Sequence, residues 1–393
     1  MWAECHLGSP VWALSVSRSG ILCGCDDGSI VLLNAGLECC FRLFEAHGSR
    51  AVMHVAWAPD GLHFLSVGTD KVVRVWSVEG ERTALCIFSM PQISPVISAA
   101  FHPNTFSGFS IAHSRASSSL AQPYQQPECS ACTVFVLTAD RKVGVWTDGQ
   151  VERYESLSSK DAQPVCMSLC ADLNRFGSQS IGVDATSPRG GIRVSLIPIF
   201  LAIGTKAGEL LLYKYTADEG VSFTHSLACK NRRGRFSTGT PIIALHWMSP
   251  KELIVSSQDN RIRLIEIGAN GMNTVGKYKG HQSSAGDVAL AAFVVSPPFS
   301  DAMLLSGSEC GRVFVWTLDE GRDLADASVS LRTKLTGSHA ARPIDSWKAI
   351  SAPDKLTAVA YAPWNPERGS VSASSSIAAS LDGVVRLFIT KYH

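Results

Sequence analysis

The sequence has little net charge. Its 35 Lys and Arg residues nearly balance 34 Asp and Glu residues, which leaves a formal net charge of +1 and a pI near 7.6. This balance argues against a basic surface spread over the whole molecule, and we expect no specific nucleic-acid partner. Charged residues make up only 18% of the chain and apolar residues 46%, so a disordered chain is excluded and a large core is possible.

Long apolar runs are absent as well. The longest, around residues 196–203 and 288–295, are too short to cross a bilayer. The start, MWAECHLGSPVW, has neither a basic region nor an uninterrupted apolar stretch of the secretory kind. The 12 cysteines then fit a reducing compartment, where thiols serve as small buried hydrophobes. We expect a soluble, cytoplasmic protein.

Motifs of the common enzyme classes are missing from the sequence. There is no Gly-rich phosphate loop, no His-Glu-x-x-His, no Gly-x-Ser-x-Gly and no pair of carboxylates at a catalytic spacing. Combinations of Ser, His and Asp carry little weight in a chain with 11 His residues. We therefore expect a protein that is not an enzyme and has no cofactor.

The sequence does contain a repeated pattern, seen best in residues 67–77, VGTDKVVRVWS. A small-residue run, a turn position and an alternating apolar run recur in seven copies. The turn positions are Asp27, Asp70, Asp140, Ala207, Asp259, Cys310 and Asp382. Two strands joined by a tight turn account for the pattern, because alternate residues share one face of a strand and Asp caps turns. We expect these Asp residues to be structural turn caps.

One further apolar strand precedes each copy, and an outer strand is expected after it. Four antiparallel strands repeated seven times predict an all-β fold, a seven-bladed β-propeller that occupies residues 1–393 as a single domain. The last copy is followed by too few residues for its own outer strand. Met1–His6 is therefore expected to complete the last blade and remove its open edge.

Insertions interrupt the repeat at approximately residues 105–131, 172–191, 321–352 and 364–375. The first, second and fourth separate the first two strands of blades three, four and seven. We expect these three on one face of the propeller, because equivalent loops emerge on the same side. The segment 321–352 is expected to be a long link between blades six and seven.

The repeats resemble those of the WD-repeat propeller family, over essentially the whole chain. VRVW, VGVW and VFVW stand where that family's Trp-Asp repeats end, and Gly280-His281 matches its Gly-His turn. The resemblance implies a buried hydrogen-bonded set of a His, a hydroxyl, the turn Asp and the Trp. Blade two offers all of them, at His47, Ser66, Asp70 and Trp76. Blade six has His281, Ser306 and Trp316 but Cys310 in place of the Asp, so we expect a broken set there.

A narrower similarity is to the propeller of Rab-GTPase-binding WD-repeat proteins of the rabphilin type. It is carried by KNRRGRFSTGTPIIAL, IVSSQDNRIRL, KYKGHQSSAGDVALAAF and LLSGSECGRVFVW in blades four to six, and by FLSVGTDKVVRVW and PVISAAFHPN in blades two and three. The resemblance implies a role in endosomal or Golgi membrane traffic, with a Rab GTPase or vesicle-tethering factors as partners and peripheral membrane attachment through them. The segment ahead of the propeller that binds Rab in that family has no counterpart in this sequence, which weakens the expectation of direct GTPase binding.

The densest positive cluster is KNRRGR, with Lys230, Arg232, Arg233 and Arg235. It lies between an outer strand and the next inner strand, and is expected on the face opposite the three inserts. Such a cluster could bind an acidic partner, that is, a phosphoinositide headgroup, an acidic peptide or RNA phosphate, or it could be a solvated loop. No aromatic residue interleaves it, which disfavours single-stranded RNA.

Two cysteine pairs have a spacing that zinc ligands can adopt, Cys129 with Cys132 and Cys166 with Cys170. The second pair begins along an expected strand, where its members would lie about 13 Å apart. Buried or incidental thiols are the better interpretation, and we expect no metal site.

The sequence favours a non-catalytic scaffold for protein–protein interaction, a monomeric propeller within a complex. Three alternatives stay open: a substrate receptor of a ubiquitin ligase, a subunit of an RNA-processing assembly and, least favoured, a propeller hydrolase.

Overall fold

The fold is known from a computed structural model. It describes residues 3–80, 83–103, 105–106, 132–157, 163–171, 199–230, 239–282, 292–295, 302–319, 340–350, 355–362 and 373–391. The strands in these ranges form seven four-stranded antiparallel sheets. Each inner strand contacts those of the sheets before and after it, and the inner strand of the seventh sheet contacts that of the first. The expected seven-bladed propeller is confirmed.

The blades follow one another in chain order. Blade one consists of Val11–Ser17, Gly20–Cys25, Ile30–Leu33 and Cys39–Leu43. Blade two consists of Val52–Trp57, His63–Gly68, Val72–Glu79 and Thr83–Pro91. Blade three consists of Val96–Phe101, Thr133–Thr138, Lys142–Thr147 and Gln150–Ser156. Blade four consists of Pro164–Ala171, Ile199–Thr205, Glu209–Thr216 and Gly220–Ala228. A short strand, Ala46–Ser49, lies between blades one and two.

The remaining blades complete the ring. Blade five consists of Ile242–Ser249, Glu252–Ser257, Arg261–Gly268 and Gly271–Tyr278. Blade six consists of Ala292–Val295, Met303–Gly307, Arg312–Thr317 and Asp345–Lys348. Blade seven consists of Leu356–Ala362, Ala373–Ser380, Val384–Lys391 and Ala3–His6.

The first residues of the described chain close the ring, as expected. Ala3–His6 pairs antiparallel with the last strand, and Cys5 lies opposite Val385. The N–H of Leu7 then donates to the carbonyl of Gly383 at 2.8 Å. The outer strand of blade seven therefore comes from the opposite end of the chain, and it covers an edge that would otherwise be open to another chain.

The core lies between the blades, because the middle strands are buried on both faces. In Gly20–Cys25, Ile21 packs with Ile377 of blade seven, whereas its neighbour Leu22 packs with Phe64 of blade two. Successive side chains of a strand point to opposite faces, so one strand supplies two inter-blade cores. Burial of each such Leu or Ile contributes about 1.5–3 kcal/mol, which explains the apolar runs on these strands.

Two faces follow from this topology. We name the face that carries the seven turn positions the turn face, and the opposite one the insert face. Links from an outer strand to the next inner strand lie on the turn face, and connections between first and second strands lie on the insert face. The third strand of blade six ends at Thr317, and its outer strand Asp345–Lys348 follows later in the chain. The segment 321–352 therefore differs from the expected link between blades, because it contains the outer strand of blade six.

Most of the predicted inserts lie outside the described residues. Of 105–131 only Thr105 and Phe106 are described, and of 172–191 none. Residues 373–375 of the fourth insert belong to the strand Ala373–Ser380.

Candidate functional site

The turn face is built from the same backbone bonds in every blade. The N–H of the residue before each turn position donates to the carbonyl of a residue in the link that leads to the inner strand of the same blade, at 2.8 to 3.1 Å. The pairs are Asp26–Pro10, Thr69–Ala51, Ala139–Pro95, Lys206–Gln163, Gln258–Pro241, Glu309–Gln282 and Leu381–Lys355. Each of the seven links is therefore hydrogen-bonded to the turn beside it at one described residue.

Blade two brings His47, Ser66, Asp70 and Trp76 together. His47 and Ser66 are buried, and His47 Nε2 lies 2.7 Å from Ser66 Oγ. The indole N–H of Trp76 donates to the same hydroxyl at 2.9 Å. His47 Nδ1 lies 2.9 Å from Asp70 Oδ1, and the N–H of Val72 donates to that carboxylate oxygen at 3.1 Å. The set ties the link from blade one to the turn and the third strand of blade two.

The protonation of this set follows from burial and its partners. Burial lowers the pKa of His47 below its ordinary value, and Asp70 offsets this only in part. Burial alone would raise the pKa of Asp70, but hydrogen bonds from Arg74 and His47 outweigh it and the pKa is lowered. These shifts favour a neutral His47 and an ionised Asp70. The ring lies between Asp70 at Nδ1 and Ser66 at Nε2, and the guanidinium of Arg74 also approaches Nδ1, at 2.6 Å.

Blade six lacks this set, as the sequence suggested. His281 is buried, and in the described part of the chain neither of its ring nitrogens has a hydrogen-bond partner. The indole N–H of Trp316 donates instead to the carbonyl of Lys279 at 3.0 Å, and Ser306 Oγ donates to the carbonyl of Gly307 at 3.1 Å. Burial lowers the pKa of His281 to about 4. Cys310 donates to Ser308 at 3.1 Å and does not replace the missing carboxylate.

The other turn carboxylates are engaged in local contacts. Asp259 pairs with Arg263, both side chains being buried, and accepts from Ser257 Oγ at 2.8 Å. Asp382 accepts from Arg386 at 2.9 Å, and from the hydroxyl of Ser380. Asp27 accepts from Arg42 at 2.5 Å and Ser29 at 2.6 Å, and Asp140 from Thr138 at 2.6 Å and Lys142 at 3.1 Å. Each of these carboxylates is therefore engaged by side chains of its own blade.

Sequence reasoning missed the basic partners of these carboxylates. In blades two, five and seven the partner is an Arg four residues after the Asp, at Arg74, Arg263 and Arg386. The Asp-x-x-x-Arg spacing is visible in the sequence and was the available signal. Each Arg lies on the third strand, so it returns along that strand to the turn that precedes it.

The basic cluster is described only at its start. Lys230 is exposed and follows the outer strand of blade four, on the turn face. Arg232, Arg233 and Arg235 lie outside the described residues.

The cysteine pairs are not brought together as far as the structure describes them. Cys132 is buried in the core between blades two and three, whereas Cys166 packs against the core between blades four and five. Burial raises the pKa of each thiol to about 12. Cys129 lies outside the described residues. Across the described ranges, no group of three His, Cys, Asp or Glu side chains could hold a metal ion.

A second group of side chains on the turn face was not singled out from the sequence. The link of residues 92–95 runs from blade two to blade three. The N–H of Gln92 donates to the carbonyl of Lys71, and the N–H of Ala139 donates to the carbonyl of Pro95, each at 2.9 Å. Ile93 in the middle of this link is 95% exposed. The side chain of Lys71 reaches over to the carbonyl of Ile93 at 3.4 Å.

Comparisons with known proteins agree with the fold. Residues 38–77 match the family model of the WD domain, G-beta repeat. The matched residues run from the outer strand of blade one to the third strand of blade two and include all four members of the His47 set. No curated protein matches the chain. None of the helices in the described part is long and apolar enough to cross a membrane.

Proposed function

We propose that this propeller is a non-catalytic platform for protein–protein interaction. The proposal rests on one observation: on the turn face the carboxylates are paired within their own blades, whereas residues between them are exposed. The turn carboxylates are held by neighbouring hydroxyl and basic side chains, as Asp259 is by Ser257 and Arg263. Residues between them, such as Lys71 and Ile93, project from a fixed backbone into solvent. A rigid frame that presents exposed side chains suits recognition, because little conformational freedom is lost on binding.

The process in which the platform works is proposed to be Rab-linked traffic at endosomal or Golgi membranes. Support comes from the similarity of blades two to six to the rabphilin-type propellers, over segments that include residues outside the repeat pattern. In this proposal the protein is cytoplasmic, and it reaches the membrane through a Rab GTPase or vesicle-tethering factors. The cluster of Lys230, Arg232, Arg233 and Arg235 supplies a contact for an acidic partner, a phosphoinositide among them.

Proximity labelling in the native cell tests this proposal. The full chain is fused to a labelling enzyme, and the enzyme alone serves as the control for unspecific neighbours. The proposal expects Rab GTPases and vesicle-tethering proteins to be enriched over the control. Enrichment of ligase or RNA-processing subunits would overturn the trafficking role and keep the scaffold. If no protein is enriched over the control, the scaffold itself is refuted.

A further inference from the structure

We infer that the turn face of blades two to four binds an acidic segment of a partner protein that carries a large apolar side chain. In this arrangement Lys71, Arg141 and Lys206 contact the acidic groups, and Ile93 contacts the apolar side chain. The inference rests on the proposed platform function and specifies the chemistry of its partner. We name Lys71, Arg141, Lys206 and Ile93 the basic sector.

The residue that follows each turn position has an unusual backbone conformation. In blade order these residues are Gly28, Lys71, Arg141, Gly208, Asn260, Gly311 and Gly383. All seven have positive φ, with 65° at Lys71 and 66° at Arg141. Glycine adopts this conformation without strain, whereas Lys and Arg rarely do. The fold therefore favours Gly at this position, and blades two and three hold long basic residues there against that preference.

In blades two and three the residue after the turn position carries a long side chain, for which the glycine turns have no room. A Cβ on Gly28 would lie 2.0 Å from the carbonyl oxygen of Gly48, and one on Gly383 would lie 2.6 Å from that of Ser9. A Cβ on Gly208 or Gly311 would likewise lie 2.7 or 2.8 Å from a carbonyl oxygen of the adjoining link. Lys71, in contrast, is exposed and Arg141 is half-buried. The two basic side chains thus occupy places on the turn face that the neighbouring links leave open.

Ile93 lies on the link between the two basic turns. A single exposed apolar residue is ordinary on a protein surface and would carry nothing alone. Ile93, however, lies on the link that is hydrogen-bonded to Lys71 at one end and to Ala139, two residues before Arg141, at the other. An almost fully exposed Ile is thus held between two basic turns by a backbone fixed on both sides. This combination fits a segment with an apolar residue between acidic ones.

Positive charge is concentrated on the turn face of blades two to four. The nearest turn carboxylates, Asp70 and Asp140, are paired with Arg74 and Lys142 on their own blades. The next blade adds the exposed Lys206, and the link beyond it begins with the exposed Lys230. Complementary charge steers partners and selects among them, which favours an acidic ligand here. Ile93 favours a peptide over a lipid headgroup, since a headgroup offers no apolar group to cover it, and over single-stranded RNA, which prefers aromatic platforms.

The test uses glycine substitutions, which remove the positive charge and also relieve the backbone strain of a positive φ. The double variant K71G/R141G replaces both basic residues by the residue found at four equivalent turns, so we expect its melting temperature to be unchanged or higher. I93S removes the apolar contact. Two controls are N260G, the same change at a neutral equivalent position, and K251E, a charge change on the insert face. A library of random 12-residue peptides displayed on phage is the probe, and selection is on the full chain.

The expected result is enrichment of peptides with several Asp or Glu residues around a large apolar residue. The selected peptide should bind K71G/R141G and I93S at least ~10-fold more weakly than the original protein, and bind N260G and K251E equally well. The inference is overturned if no peptide is enriched, if the enriched peptides have no acidic bias, or if K71G/R141G binds them as tightly as the original protein.

Vesicles of phosphatidylcholine with phosphatidylserine are the second probe. Binding to them that requires Lys71 and Arg141, without peptide binding, would identify a lipid ligand instead and overturn the inference. If no peptide binds but proximity labelling still finds protein neighbours, this inference is wrong and the proposed platform function stands.

Discussion

The imidazole of His47 lies 2.9 Å from the carboxylate of Asp70, so a residue from the link that leaves blade one is fixed to the turn of blade two. The other ring nitrogen lies 2.7 Å from the hydroxyl of Ser66, and the indole N–H of Trp76 donates to the same hydroxyl. One histidine therefore joins three parts of the chain. Its counterpart in blade six, His281, has no such carboxylate, because Cys310 occupies the turn position.

Replacement of Ser66 by Ala should destabilise the protein. The hydroxyl serves two buried groups, and both His47 Nε2 and the indole N–H of Trp76 would be left without it. We expect a loss of about 1–3 kcal/mol in the free energy of unfolding, measured by urea denaturation. Ser306→Ala is the matched control, since that hydroxyl bonds only to the carbonyl of Gly307 among its described contacts. Equal losses in the two variants would contradict a special role for the set in blade two.

Removal of a turn carboxylate should be most damaging in blade five. Asp259 and Arg263 have side chains only 1% and 3% exposed, whereas those of Asp382 and Arg386 are 21% and 15% exposed. Asp259→Asn removes the carboxylate charge that the buried guanidinium of Arg263 contacts and should lower the free energy of unfolding by about 3–5 kcal/mol. Asp382→Asn should cost about 1 kcal/mol, since water screens that pair. Chemical denaturation of both variants checks the order, and the reverse order would refute it.

Stability should decrease on mild acidification because of His281. Its pKa is about 4 in the folded protein and 6.5 in the unfolded chain, so between these values the unfolded state binds a proton that the folded state excludes. The contribution is complete above pH 6.5 and is lost as the pH falls towards 4. In His281→Phe, the loss of stability between pH 7.5 and 5 should be smaller by about 2 kcal/mol. An unchanged slope of the unfolding free energy against pH would contradict this account.

Deletion of residues 1–6 should open the ring. The strand Val384–Lys391 would lose its partner Ala3–His6 and expose a free edge to other molecules. We expect a lower melting temperature and association that grows with concentration, observed by calorimetry and light scattering. Deletion of residues 1–2 alone retains the strand and is the control. A shortened protein that stays monomeric with the original melting temperature would show that closure contributes little.

Much of the fold could be predicted from the sequence, because blade strands are short and repeat with a shared turn chemistry. The apolar strand predicted ahead of each copy is present in every blade, as at Val96–Phe101, and the closing role of the first residues followed from counting strands. The outer strand Asp345–Lys348 was missed, since four residues outside the repeated pattern give no periodic signal.

The candidate sites were harder to predict than the fold. The residues of the His47 set were visible because the resemblance assigns them roles, whereas Arg263 could be recognised as a buried partner only once the third strand was seen to return to its own turn. The sequence shows which residue follows each turn position, such as Lys71 or Gly28, but not whether the adjoining link covers it. That depends on the path of the link in space, as at Gly28 under Gly48.

The central claim is that the turn face of blades two to four is where this platform meets its partner, and site-specific photo-crosslinking tests it most directly. A photoreactive amino acid is placed at Ile93 in the full chain in the native cell, with Arg18, exposed on the insert face, as the control position. The account predicts a discrete adduct from position 93, with the crosslink mapped by mass spectrometry to an acidic segment of the partner and lost in K71G/R141G. Adducts from position 18 alone, or an adduct from position 93 that persists in K71G/R141G, would contradict it.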